Sequence, residues 1–219
     1  MYVFTTNHYI EILPNLWSGF LFTLLITITG VAIGFVLGAI FGLMRLSKIK
    51  IVYGIATIYV ELVRGTPLLV QIFFIYFGLS DFMNINLDKL TASIIAIAAN
   101  AGAYIAEIVR GAVQSVDKGQ TEAGRSLGLS SRQTMLYIIW PQALRRMIPP
   151  LGNQFIISLK DTSLFSAIAV TDLMYEGRQY ASSTFADFES YIMVAIFYLV
   201  ITIPSMLILR QYERRFERE

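Results

Sequence analysis

Residues 12–44 read ILPNLWSGFLFTLLITITGVAIGFVLGAIFGLM, and no charged side chain interrupts them. A helix crosses a bilayer with about 20 predominantly apolar residues, so this uncharged run decides the class of the chain. It is too long for the core of a signal peptide. No charged front end with a small-residue cleavage site precedes it. The segment 16–44 is therefore expected to be a first membrane span, long enough to tilt.

Composition points the same way. Of 219 residues, 56% are hydrophobic and only 15% are charged. Mean hydropathy is +0.62. Soluble domains carry about 25% charged residues, and a chain this short cannot hide so much apolar surface in one core. Disorder is excluded by the same balance. The chain has no cysteine and a single histidine, His8. Disulfide scaffolds, thiolate sites and histidine-based metal or triad chemistry are thereby ruled out. No catalytic or metal-binding residue is expected. A net charge of +2 without a dense basic tract argues against nucleic acid as a partner.

Four further apolar stretches follow, at 51–78, 90–109, 148–169 and 190–209. None shows the period-two alternation of barrel strands. The expected fold is an all-α integral membrane protein, one transmembrane domain over 1–219 with five transmembrane helices. Arg45, Lys48 and Lys50 follow the first span. Arg110, Lys118, Arg125, Arg132, Arg145 and Arg146 flank the third and fourth, and Arg210, Arg214, Arg215 and Arg218 close the chain. Five spans place all of these on one side, 13 of the 17 basic residues. That side is predicted to be cytoplasmic, with the N-terminus outside and the C-terminus inside.

The loop 111–144 is too long for an ordinary connection. Ser115 and Asp117 are good helix caps. Thr121–Leu127 predicts a short helix, and Gly128 suits the left-handed residue beyond its end. Ser130 or Ser131 caps a second helix running to Pro141. The loop is thus expected to be a helix–Gly–helix knob. Ala123 and Gly124 would let another protein approach closely, and Leu127 and Leu129 would form an apolar tip.

At these residues the chain resembles a family. Glu122-Ala123-Gly124, then Gly128, then Ile139-Trp140-Pro141 resembles the EAA signature of membrane subunits of ATP-binding-cassette (ABC) importers, with Gly124 in place of the third alanine. The stretches 61–71 (ELVRGTPLLVQ), 102–111 (GAYIAEIVRG), 118–120 (KGQ) and 159–164 (LKDTSL) resemble the polar amino acid uptake branch. Several motifs in the right order are far more specific than one short match. The resemblance implies a type I ABC importer permease in a prokaryotic plasma (inner) membrane. It implies a cytoplasmic coupling-helix loop in which Glu122, Ala123, Gly124 and Gly128 engage two ABC ATPase subunits. A second copy or close homologue of the chain and an extracytoplasmic amino acid binding protein complete the expected partners. The chain has no phosphate-cradling GxxxxGK[ST]. No cofactor is therefore expected in it; ATP and Mg would belong to the partner ATPase, and the chain itself is not an enzyme.

Ionisable groups inside a membrane are functional hypotheses by default. Glu61 and Arg64, three residues apart, share a helical face and are expected either to neutralise each other or, for Glu61, to meet substrate. Gly65, Thr66 and Pro67 break the helix and free backbone groups that transporters use for ligands. Asn100, Tyr104 and Glu107 share one face, with Glu107 able to pair with Arg110. Tyr104 is expected to pack between helices. Gln154, Ser158 and Asp161 form one stripe, Asn153 and Lys160 a neighbouring one, and Pro149 and Pro150 suit the first turn of that span. The resemblance places the amino acid between these spans, which singles out Glu61, Thr66, Asn100, Asp161 and Leu164 as substrate contacts. Two acids in the path suit a cationic amino acid (arginine, histidine or lysine); glutamine is the neutral candidate. An ion-coupled secondary carrier would use the same buried charges but gives no reason for the knob. A structural subunit of a larger complex would explain the apolar bulk but not the broken second span.

Overall fold

The computed structural model describes residues 7–216, and they form helices without a strand. Of the basic tail, Arg218 and the side chain of Arg215 lie outside what is described. A short helix α1 (Asn7–Glu11) leads into α2 (Leu13–Met44). Glycines 30, 34, 38 and 42 recur every fourth residue, so they share one face of α2. That face lies against α6 (Lys89–Gln114). A Cβ on Gly38 would sit 2.5 Å from Cβ of Ile105, and one on Gly30 2.6 Å from Cγ2 of Ile97. Between membrane helices, where burial from water supplies no driving force, such close approach is what holds the pair together.

The second apolar stretch is broken. Helix α3 (Lys50–Arg64) stops at Gly65, and the chain restarts as α4 (Leu68–Phe73), a wide π turn (Phe74–Leu79) and α5 (Ser80–Met83). The two halves meet at 105°. Pro67 supplies the extended residue before α4 at φ −62°, ψ 141°, a geometry in which a helix cannot continue.

Beyond α6 come α7 (Lys118–Ser126), α8 (Ser131–Thr134), a wide turn (Met135–Ile139) and α9 (Trp140–Asp161). Pro149 and Pro150 lie inside α9, not in its first turn as expected. The helix begins well before residue 148, and neighbouring groups satisfy the carbonyls a proline frees in such settings. After a tight 3-10 stretch (Thr162–Ile168) comes α10 (Leu173–Thr184), a helix between the expected fourth and fifth spans. Asp172 caps it, accepting from the amides of Tyr175 (3.0 Å) and Met174 (3.4 Å). At 12 residues, about 18 Å, α10 is too short to span. It wedges against Gly19 of α2 and Val194 of α11 (Asp187–Phe216).

The expected count of five spans is not reproduced by helix length and apolar content alone. Among the described residues, three stretches are long and apolar enough to cross a membrane, Asn7–Met44, Lys89–Gln114 and Asp187–Arg214; the bent pair makes a fourth if it counts as one. Helix α9 is not among them, because Arg145, Arg146, Asn153, Gln154, Lys160 and Asp161 dilute its apolar content. Of these, Gln154 and Asp161 line a cavity, whereas Arg145, Arg146, Asn153 and Lys160 are exposed.

Candidate functional site

The break between α3 and α4 is held by two side chains, Thr66, which donates to the Leu62 carbonyl at 2.9 Å, and Gln71. Gln71 Nε2 donates to the carbonyls of Val63 (2.7 Å) and Thr66 (3.0 Å) and to the Thr66 hydroxyl (3.1 Å). The two carbonyls are groups that the break left without helical amide donors. The Gln71 carbonyl oxygen in turn accepts from Asn100 Nδ2 at 3.2 Å, which ties the broken segment to α6.

Beside this staple lies a cavity of about 510 Å³, within the range of small-molecule sites. Its walls are Arg64 to Leu68 from the break, Asn100 and Tyr104 from α6, and Gln154, Ile157 and Asp161 from α9. Gln154 is buried and donates to Ser158 at 3.2 Å. The Arg64 guanidinium lies 5.3 Å from the centre of the Tyr104 ring, a cation–π contact. Asp161 makes no hydrogen bond or ion pair to another described side chain. The cavity thus presents one free carboxylate, one guanidinium and two primary amides.

Of the five expected substrate contacts, Thr66, Asn100 and Asp161 line this cavity. Glu61 and Leu164 do not. Glu61 lies on the exposed side of α3, 3.5 Å from Arg45. Leu164 packs on the apolar cluster of Ile26, Ile72, Ile97 and Phe165. Nor does Glu61 pair with Arg64. Arg45, almost fully buried, reaches Glu107 at 2.5 Å; Arg64 lies 3.8 Å from Glu107, and Arg110 pairs with the same carboxylate. Glu107 is therefore the hub joining α2, α3 and α6 on the basic side of the cavity. Tyr104 lines the cavity beneath Arg64 and is 38% exposed, rather than packed between helices as expected. Gln71 was overlooked, although a polar side chain one turn after Pro67 is the signal of a group that caps a broken helix.

The knob is as anticipated in outline. Asp117 caps α7 by accepting from the Gly119 amide at 2.7 Å. Gly128 ends it at φ +83°, a left-handed conformation that favours glycine. Ser130 and Gln133 form a reciprocal capping box on α8. Glu122, Ala123 and Leu127 are exposed. Gly124 is buried, and a Cβ there would sit 2.8 Å from Thr134 Cγ2 and Ile138 Cδ1. Its smallness serves contact within the knob rather than with another protein. The knob is anchored to α9: Arg146 donates to the Ser115 carbonyl and hydroxyl, and Gln142 to Gln120 at 3.3 Å.

Against known proteins, residues 34–218 match the family described as "Binding-protein-dependent transport system inner membrane component". The chain is 47% identical over 206 residues to the glutamine transport system permease GlnP of Escherichia coli K12, covering 94% of each. It is 44% identical to the probable glutamine ABC transporter permease GlnM of Bacillus subtilis 168, covering 92% of this chain and 93% of that one. Among solved structures, a chain of an amino acid ABC transporter crystallised with histidines superposes with a TM-score of 0.93 at 41% identity, covering 98% of this chain and all of that one. A chain of the MetNI methionine ABC transporter shares the fold at TM-score 0.72 and 20% identity. The all-helical, type I ABC importer architecture expected from the sequence is the one present, with the second span broken and the fourth more polar than expected. This chain belongs to the family of inner-membrane components of binding-protein-dependent transport systems.

Proposed function

We propose that this chain is the transmembrane subunit of an ATP-driven importer of polar amino acids, with glutamine as the favoured substrate. The observation that carries this reading is the cavity at the break. The α-ammonium of a substrate suits Asp161 and its α-carboxylate suits Arg64. Asn100 and Gln154 then offer amide donors and acceptors to a side-chain amide. With Glu61 outside, the cavity holds one acid and one base, which suits a zwitterion with a neutral side chain better than a cationic amino acid.

The mechanism is alternating access. Helix α9 runs from Gln142 beside the knob to Asp161 in the cavity, about 28 Å along its axis. Helix α6 links Asn100 and Tyr104 to Ser115 beneath the knob. A push on the exposed Glu122, Ala123 and Gly128 by two ABC ATPase subunits, with Gly124 packed behind them against Thr134 and Ile138, therefore reaches two of the three cavity walls through rigid elements. ATP and Mg belong to those ATPases, and this chain needs no cofactor and performs no hydrolysis. The basic end faces the cytoplasm, so the N-terminus lies outside, where a binding protein delivers the amino acid. A second copy or close homologue completes the pathway in a prokaryotic plasma membrane.

The test is reconstitution with its ATPase and binding protein in liposomes. Labelled glutamine should enter only with ATP on the knob side. Uptake that ignores ATP and follows a proton or sodium gradient would replace this reading with a secondary carrier.

A further inference from the structure

A second cavity of about 510 Å³ opens where α2 ends and α8 begins. Its apolar wall is Leu43 and Leu46 from one side and Met135 and Leu136 from the other, with Trp140 half-buried beside them. Its polar rim is Arg132 and Ser47. Leu43, Met135 and Leu136 are exposed at 50%, 41% and 53%.

The depth of this groove follows from the sequence. The uncharged run ends at Met44, so Leu43 stands at acyl-chain level, and Ser47 and Lys48 stand in the headgroup zone one turn on. Tryptophan favours that boundary, where its ring is apolar and its N–H is wet.

The charges single out one occupant. Arg45, Arg64 and Arg110 pair with carboxylates, and Arg125 and Arg146 donate to carbonyls within the chain. Arg132 has no hydrogen-bond or ion-pair partner among the described residues, and neither have Lys48 and Lys50 beside Ser47. A free guanidinium above an exposed aliphatic wall at a membrane boundary matches an anionic lipid, whose phosphate takes the cation and whose chain takes the wall. A protein–protein interface would need a far broader patch than one groove of this size.

We propose that this groove binds one anionic phospholipid, with the headgroup phosphate on Arg132 and Ser47 and an acyl chain against Leu43, Leu46, Met135 and Leu136. Assigning the lipid to the cytoplasmic leaflet rests on the orientation given above; the groove itself does not depend on it.

Trp140 reports on the site directly. The chain has two tryptophans, so Trp17→Phe leaves Trp140 as the sole indole. The full-length variant is reconstituted in phosphatidylcholine with brominated phosphatidylglycerol or brominated phosphatidylcholine in both leaflets, and emission quenching is compared. Brominated phosphatidylglycerol should be preferred by about fivefold, the ratio one basic side chain gives near an anionic surface. Arg132→Gln should bring the ratio to about one and Arg132→Lys should keep most of it, as expected of a point charge. Equal quenching by the two lipids, or a preference that survives Arg132→Gln, overturns the proposal. Absence of quenching by either lipid means that protein covers the groove, and overturns it too. The assay involves no transport, so its outcome stands apart from that of the uptake experiment.

Discussion

Asn100 of α6 donates to the carbonyl oxygen of Gln71 at 3.2 Å, and Gln71 in turn holds the free carbonyls of Val63 and Thr66. Gln71, with Thr66 donating to the Leu62 carbonyl at 2.9 Å, thus holds the 105° bend between α3 and α4 and ties it to the helix that packs along α2. Gly65, Thr66 and Pro67 of this bend and Asn100 of α6 line the same cavity.

Gln71→Leu should therefore damage transport more than its modest size suggests. Each lost hydrogen bond costs about 0.5–1.5 kcal/mol, more where a carbonyl stays buried without a donor. Glutamine uptake should fall roughly tenfold or more, since 1.4 kcal/mol is a factor of ten. Gln71→Glu, which accepts but cannot donate when ionised, should do no better. Uptake near wild type in Gln71→Leu, at equal assembly, would show that the bend holds itself.

Asp161→Asn tests how the substrate lies. If Asp161 meets the α-ammonium common to all amino acids, glutamine and arginine uptake should fall by the same factor. Competition of unlabelled arginine against labelled glutamine in the variant measures this without separate calibrations. A loss confined to arginine would mean that Asp161 faces the side chain, and would restore a cationic substrate.

Gly38→Ala tests the seam of α2 against α6. The added methyl would sit 2.5 Å from Ile105 Cβ, and overpacking of this kind costs about 1–3 kcal/mol. Thermal unfolding in detergent should shift down by several degrees. Gly54→Ala, with nothing within 4 Å of the new Cβ, should leave the midpoint unchanged or raised, because alanine favours a helix over glycine. Equal midpoints for the two variants would contradict the close packing.

Gly128→Asp tests the knob. At φ +83° a side chain strains the turn that ends α7, so the exposed face of Glu122, Ala123 and Leu127 should lose its shape. ATP-driven uptake should be lost while the chain still reaches the membrane and assembles there. Retained uptake would place the coupling contact elsewhere.

What the sequence revealed follows the range of the physics. The knob was legible because caps and a left-handed glycine are local: Asp117, Ser130 and Gly128 act on residues within a turn or two of themselves. The break was legible because Gly65 and Pro67 act on their own backbone. What lines the cavity was legible only in part, because the face a residue presents beyond a bend depends on the bend. Glu61 precedes the break and turns to Arg45, so helical spacing alone did not place it. Leu164 lies in a 3-10 stretch whose phase differs from that of α9. Pro149 and Pro150 suggest a helix start, yet α9 is already continuous from Trp140. The seam glycines are spaced regularly in the sequence, but their partners on α6 lie about 65 residues away. Helix α10 was missed because it is short and its stabilising contacts, with Gly19 and Val194, are distant in the chain.

The most direct test of the central claim uses the absence of native cysteine. Thr66→Cys places a single thiol in the wall of the cavity, where a maleimide reports access during ATP-driven uptake. Glutamine at saturating concentration should slow labelling severalfold, and Asp161→Asn in the same chain should abolish that protection. ATP-driven glutamine uptake with labelling of Thr66→Cys unchanged by glutamine would contradict the account, since substrate would then cross without entering this cavity.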